Sequence, residues 1–166
     1  MILAVDVDYQ ESSAKVAGVA FRDWSDHEAQ QVFVSRVEGV AEYEPGRFYK
    51  RELPCILSLL REHDLSPDVI VIDGFVYLDG VGAPGLGKHL YDSLGGEVAV
   101  VGVAKRAFRD IDERFALYRG ESKNPLYITA EGIDLHRARK AIEQMDGEHR
   151  NPTLLKKADQ ACRGVG

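Results

Sequence analysis

Two apolar runs in the 166-residue chain end in a carboxylate: AVD closes on Asp6 and VIVID closes on Asp73. A charge at the end of such a run is held by a rigid element and can still reach a ligand. If the two runs are parallel neighbours in one sheet, both aspartates lie at its carboxyl edge, where open α/β sheets bind ligands. Two carboxylates at close range repel, and a divalent cation between them removes the conflict. Mg²⁺ takes oxygen ligands and retains waters in its remaining positions. The role expected of the pair is therefore to hold a divalent metal ion. Asp8 competes with Asp6, because alternation puts both on one strand face; Asp6 lies deeper in the apolar run and is preferred. A third acid, Glu52, stands in EYEPGRFYKRELP, behind a tyrosine, a Pro-Gly turn, aromatics and basic residues. An acid there also suits the first turn of a helix, where the macrodipole favours it.

The elements that would carry these acids follow from periodicity. ILAVDVDY alternates and is rich in β-branched residues, which predicts a strand from Ile2 to about Tyr9. Residues 14–22 and the stretch AQQVFVSRV give two more, and three strands at short spacing make an antiparallel meander. Leu53, Ile56, Leu57, Leu60 and Leu65 recur at helical spacing. That helix is expected to begin near Arg51 or Glu52, with Pro54 in its first turn and Ser66-Pro67 at its end. VIVID and EVAVVGVAK read as fourth and fifth strands, continuously apolar as central parallel strands are. A Gly-rich loop and a helix around Lys88 to Leu94 separate them. PLYIT (125–129) suggests a sixth strand, and helices over about 133–146 and 152–163 follow. The expected fold is α/β and ribonuclease H-like: a mixed sheet, three antiparallel strands then alternating parallel strands, flanked by helices. The length fits one domain over 1–166.

The formal net charge of -6 and pI near 5.4 argue against a protein that coats nucleic acid by charge alone. A small cationic cleft is compatible with them. Cys55 and Cys162 show no ligand-like spacing, so reduced intracellular thiols are expected. The amino-terminal stretch lacks the basic start of a signal peptide, and no stretch is long enough to span a membrane. A cytoplasmic monomer without a membrane partner is the expectation.

With these residues in view, the sequence resembles the endonuclease V family, nucleases that cut 3′ to deoxyinosine. AVDVDY is similar to the family's first strand, YEPGRFYKRELP (43–54) to its Tyr, Pro-Gly and Arg-Glu-x-Pro segment, and VIVIDG to its Asp-Gly strand. GAPGLGKH, VGVAK, PLYIT and NPTLLKKADQA follow in family order. The resemblance implies that Asp6, Glu52 and Asp73 bind metal, joined by Asp159 from the final helix. Lys105 would stand near the scissile phosphate, and these five residues would form the catalytic set. Tyr43, Pro45 and Gly46 would form a wedge entering the duplex beside the modified base. Arg51, Gly74 and His89 would add substrate contacts. The implied cofactor is Mg²⁺, with Mn²⁺ as a substitute, and the implied partner is DNA or RNA.

The sequence departs from the family pattern in three ways. It starts directly at the first strand, the stretch between VGVAK and PLYIT is short, and Asp73-Gly74 is followed by Phe75-Val76-Tyr77-Leu78-Asp79. The family has a further glycine and a His-Pro-Arg segment there; Asp79 is the charged residue in its place. The leading expectation is a Mg²⁺-dependent endonuclease acting next to inosine or another modified base. The alternatives are a nuclease of the same fold with a different nucleic-acid substrate, and a non-catalytic binding domain.

Overall fold

The computed structural model describes every residue except Tyr43, Gly46, Phe48, Val165 and Gly166. Alternation in β1 (Ile2–Gln10) divides its side chains between two cores. Ile2 and Ala4 pack with Val19, Phe21, Val71, Val101 and Val103 on one face. Leu3 and Val5 pack with Val16, Ile70, Ile72 and Val100 on the other. Four helices cover these faces: α1 (Tyr49–Glu62), α2 (Leu86–Ser93), α3 (Leu135–Gln144) and α4 (Thr153–Cys162). Helix α1 contributes Ile56 and Leu59, and α2 contributes Leu90, to the second face. Helix α3 sends Ala138 and Ile142, and α4 sends Leu154 and Ala158, into the first. Ile56 and Leu59 are at most 1% exposed, and full burial of such a side chain stabilises by about 1.5–3 kcal/mol.

The remaining strands are β2 (Ser13–Phe21), β3 (Gln31–Glu38), β4 (Val69–Asp73), β5 (Ala99–Ala104), β6 (Ala116–Leu117) and β7 (Leu126–Glu131). They form a 7-stranded sheet in the order β3-β2-β1-β4-β5-β7-β6. Strands β1, β2 and β3 are antiparallel neighbours, and β4 and β5 run parallel to β1. Strand β7 turns back antiparallel to β5 and carries β6 on its far side. This is the ribonuclease H-like mixed sheet with helices on both faces.

Local chemistry moves some boundaries. Helix α1 begins at Tyr49, so Pro54 falls in the second turn rather than the first. Proline there has no N–H for the carbonyl one turn back, a loss the buried face of the helix outweighs. The helix also ends before Ser66-Pro67. Asp64 takes φ 50° and the Leu65 amide donates to the Leu60 carbonyl at 2.9 Å, a left-handed cap. The two-residue strand β6 carries no sequence signal of its own and exists by pairing with β7. Beyond it, the guanidinium of buried Arg119 donates to the carbonyls of Met145, Gly147, His149 and Arg150. One side chain thereby fixes the connection that leads into α4.

Candidate active site

The register of β1 on β4 pairs Ile2 with Val69, Leu3 with Ile70 and Ala4 with Val71. Two residues further along the same offset, Asp6 comes level with Asp73. The phase of each strand decides which face the charges take. Ala4, Val71 and Val103 belong to the core under α3 and α4, so Asp6, Asp73 and Lys105, each two residues further on, emerge on that side. Helix α4 lies there too and carries Asp159 one residue after buried Ala158. Asp6, Asp73 and Lys105 line a pocket of about 20 Å³ together with Asn151, Leu155 and Ala158, and a carboxylate oxygen of Asp159 lies within 4.8 Å of one of Asp6. The pocket has room for one or two water-sized occupants.

Three carboxyls at this edge are raised above their ordinary range. Burial pushes Asp6 up to about 7, the charges of Asp73 and Asp159 add to the rise, and the Val7 amide and Lys105 oppose it. Burial likewise raises Asp73, Lys105 pulls it back, and Asp159 adds to the rise. Asp73 keeps one side open to solvent. Glu52 is pushed up to about 8, first by burial and then by Asp73 and Asp6. Its helix covers the opposite face of the sheet, so it reaches the edge from the other flank. The tightest trio among the described residues is Asp6, Asp159 and Cys162, whose ligand atoms lie within 4.8 Å of one another. Glu52 and Asp73 flank that trio. Asp8, two residues beyond Asp6, does not line the pocket.

Backbone geometry fixes Asp73. The Gly74 amide donates to the Val103 carbonyl at 3.1 Å, and the Val76 amide donates to the buried Thr129 hydroxyl at 2.8 Å. Gly102 makes room for this crossing: a Cβ on it would stand 2.6 Å from the Gly74 carbonyl oxygen and 2.8 Å from the Thr129 hydroxyl. Gly74 has φ 144°, which L side chains rarely adopt. On the other side, the Arg150 guanidinium donates to the Lys105 carbonyl and, at 3.0 Å, to that of Pro125.

Other residues of the expected set pack against rings of the fold. The Arg51 guanidinium lies over the Tyr9 ring, 3.6 Å from its centroid. His89 stacks on Tyr49 with centroids 3.7 Å apart and planes 17° from parallel, which ties the start of α1 to α2. Both therefore hold the helix that carries Glu52. Tyr43 and Gly46 fall outside the described residues, and Pro45 between them is exposed. Asp79 is bound within its own loop. One carboxylate oxygen accepts from the amides of Val81, Gly82 and Ala83 at 2.8–3.0 Å, and these amides hold its carboxyl down at about 2.

Three residues at the site were not reached from the sequence. Asn151 precedes α4 and joins the pocket wall because the Arg119 clamp turns the chain there. Cys162 is fully buried at the end of α4, its thiol pushed up to about 12 by burial and then by Asp6 and Asp159. The spacing Leu154, Ala158, Cys162 is a helical stripe that could have revealed this orientation. Tyr9 lies beside Glu52 with its hydroxyl buried.

The sheet order and the acids at its carboxyl edge define a ribonuclease H-like protein with an acidic centre. Residues 1–119 match the family model for endonuclease V, and the chain belongs to that family. It is 26% identical to an endonuclease V of Nocardia farcinica over 99% of this chain and 80% of the relative. Its fold matches the endonuclease V of Streptomyces avermitilis with a TM-score of 0.75 and 22% identity, covering 98% of this chain and 79% of that one. It also matches the Ciona intestinalis endonuclease V with a TM-score of 0.79 and 17% identity, covering 98% and 84%. That protein was crystallised with a 24mer DNA containing an inosine followed by a ribo-adenosine.

Proposed function

We propose that this chain is a divalent-metal-dependent endonuclease that hydrolyses a phosphodiester bond 3′ to inosine or deoxyinosine. The observation that carries the reading is that Asp6, Asp73 and Lys105 line one small pocket with Asp159 beside Asp6. The donor set fits a hard cation. Burial first, and then neighbouring acids, raise the carboxyls of Asp6 and Asp73, and a divalent ion is the partner that would let them ionise together. Asp6, Asp73 and Asp159, with Glu52 on the flank, would hold Mg²⁺ or Mn²⁺, which when bound supplies a hydrolytic water and offsets charge on the phosphate. Lys105 binds a phosphate oxygen through its ammonium group and stabilises the charge that develops there. Asn151 also lines the pocket. Tyr43, Pro45 and Gly46 unstack the duplex beside the modified base, where opening the stack costs a few kcal/mol.

The segment Phe75–Asp79 favours a second reading for base choice alone. Asp79 is tied up by its own loop amides, and the segment Phe75–Asp79 holds no histidine or arginine. A nuclease with the same centre and a broader substrate range would need no more. The two readings separate on labelled DNA and RNA strands, single and double, with and without inosine, incubated with Mg²⁺, Mn²⁺ or EDTA. Cutting that requires both the metal and inosine is the expected result. Metal-dependent cutting indifferent to inosine selects the second reading. A folded protein that cuts none of these strands overturns both and leaves a binding domain.

A further inference from the structure

Beside the acidic centre lies a thiol for which the chemistry proposed above has no use. Cys162 is fully buried at the end of α4. Its Sγ lies within 4.8 Å of a carboxylate oxygen of Asp6 and of one of Asp159, and those two oxygens lie within the same distance of each other. The fold explains the meeting. Asp159 and Cys162 are three residues apart on one helix and so share a face. Leu154 and Ala158 seat that helix on the core that Ala4 joins, two residues before Asp6. The trio and the small pocket overlap without coinciding: Asp6 belongs to both, Asp73 lines the pocket, and Cys162 does not.

The surroundings of the thiol are short of positive charge. Asp6, Asp159 and Asp8 face it, and Arg163 is the cation beside it. That guanidinium already donates to an Asp159 oxygen at 2.7 Å. The thiol itself donates to the Asp159 carbonyl, 3.2 Å away. Cys55 gives the contrast. It is equally buried and donates to the Arg51 carbonyl at 3.5 Å, but its charged neighbours, Glu52 and Arg51, balance.

Sulfur changes which ion such a set prefers. Mg²⁺ and Mn²⁺ take oxygen ligands, whereas thiolates select softer ions such as Zn²⁺. One thiolate, two carboxylates and a water make up the four positions that Zn²⁺ takes at an open site. Ordinary Zn–S and Zn–O bonds set neighbouring ligand atoms roughly 3.5 Å apart, so the trio has to close by on the order of an ångström. We infer that Asp6, Asp159 and Cys162 form a thiolate site for a soft divalent cation of the Zn²⁺ class, which takes two carboxylates from the hard-metal centre and thereby halts cutting; this rests on the acidic centre being a metal site, as read above. The thiol proton passes to solvent when the ion binds.

The test uses the whole chain, reduced and metal-free. Cd²⁺, a softer relative of Zn²⁺, is titrated in while the ultraviolet charge-transfer band of a cadmium-bound thiolate is recorded, and Mn²⁺ binding is followed by electron paramagnetic resonance. Wild type and Cys55→Ala should both show the band, and in both Zn²⁺ should displace Mn²⁺ and inhibit Mg²⁺-dependent cutting. Cys162→Ala and Cys162→Ser should lose the band and need at least about tenfold more Zn²⁺ to displace Mn²⁺, while keeping the wild-type Mn²⁺ affinity. Thermal unfolding of each variant checks that the fold is retained. A wild-type protein that binds Mn²⁺ but gives no thiolate band overturns the soft-ion site and leaves the hard-metal centre standing. So does a band that survives in the Cys162 variants or vanishes in Cys55→Ala. Equal losses of Mn²⁺ and Zn²⁺ binding in the Cys162 variants overturn it too, because they give the cysteine a packing role only. If wild type binds neither Mn²⁺ nor Cd²⁺, the reading of the acidic centre as a metal site falls as well.

Discussion

Asp73 and Asp79 are six residues apart in one stretch, VIVIDGFVYLDG, and their environments are opposite. Asp73 stands at a sheet edge among other acids, and burial raises its carboxyl. Asp79 is met by three backbone amides, which hold its carboxyl down at about 2. One carboxylate stabilises its own loop; the other is left short of positive charge and can receive it from a ligand. The lesson is that an aspartate's role is set by the donors that reach it. Backbone amides make a structural acid, and their absence in a crowd of like charges makes a binding one.

The largest effect should come from swapping the two acids for alanine in turn. Asp73→Ala is expected to lower metal-dependent cutting by about a thousandfold or more, on the scale of removing an essential group from a metal site. Asp79→Ala should leave cutting within about threefold and lower the thermal midpoint only modestly. Equal losses of activity, measured as single-turnover rates, would erase the contrast.

Lys105→Ala should cost about a hundredfold in cutting, because a positioned cation at a developing charge is worth roughly that much. The loss should appear in the chemical step, with binding of the intact strand changed less. A Lys105 that serves only as a solvent anchor would show no such loss.

The third contrast is in pH. Asp6 rises from 3.8 to about 7 in the folded chain, so the metal-free fold holds this proton more tightly than the unfolded chain does. Its contribution to stability must therefore fall as pH rises from about 4 to 7. Asp79 has the opposite sign. Its contribution is present above the ordinary carboxylate value and is lost as pH falls towards about 2. Urea unfolding of metal-free protein should accordingly show Asp6→Asn more stable than wild type at pH 8, by about 1–3 kcal/mol. The difference should vanish near pH 4. A protein whose metal-free stability does not respond to this substitution would contradict the description of Asp6 as a buried carboxyl among like charges.

The smallest effect concerns the scaffold. Gly102→Ala brings a methyl group against the Gly74 carbonyl and the Thr129 hydroxyl and should destabilise by about 1–3 kcal/mol. Because it shifts the backbone under Asp73, activity should fall further than stability alone explains. A fully active Gly102→Ala variant would show that the crossing tolerates movement.

Much of this was legible in the sequence. The alternation of ILAVDVDY and the continuous VIVID and VGVA runs give the strands, and their phases suffice to bring Asp6, Asp73 and Lys105 to one side. The sequence is silent where tertiary contacts decide. The resemblance implied substrate contacts for Arg51 and His89; the sequence did not show that they also pack on the Tyr9 and Tyr49 rings. Pro54 pointed to the first helical turn, but packing of α1 carries the helix back to Tyr49. Cys162 had no ligand-like spacing because its partners come from another strand and a preceding helical turn. Strand β6 is too short to have a period, and Asp79 was indistinguishable from a site acid until its amide partners were seen.

The most direct measurement is a Mn²⁺ titration followed by electron paramagnetic resonance at pH 7.5, on wild type, Asp6→Asn, Asp73→Asn and Asp79→Asn. Wild type and Asp79→Asn should bind the ion alike, and Asp6→Asn and Asp73→Asn should each weaken binding at least about tenfold. Equal binding by all four proteins would mean that the acids at the ends of β1 and β4 hold no cation, and the proposed metal centre would not exist.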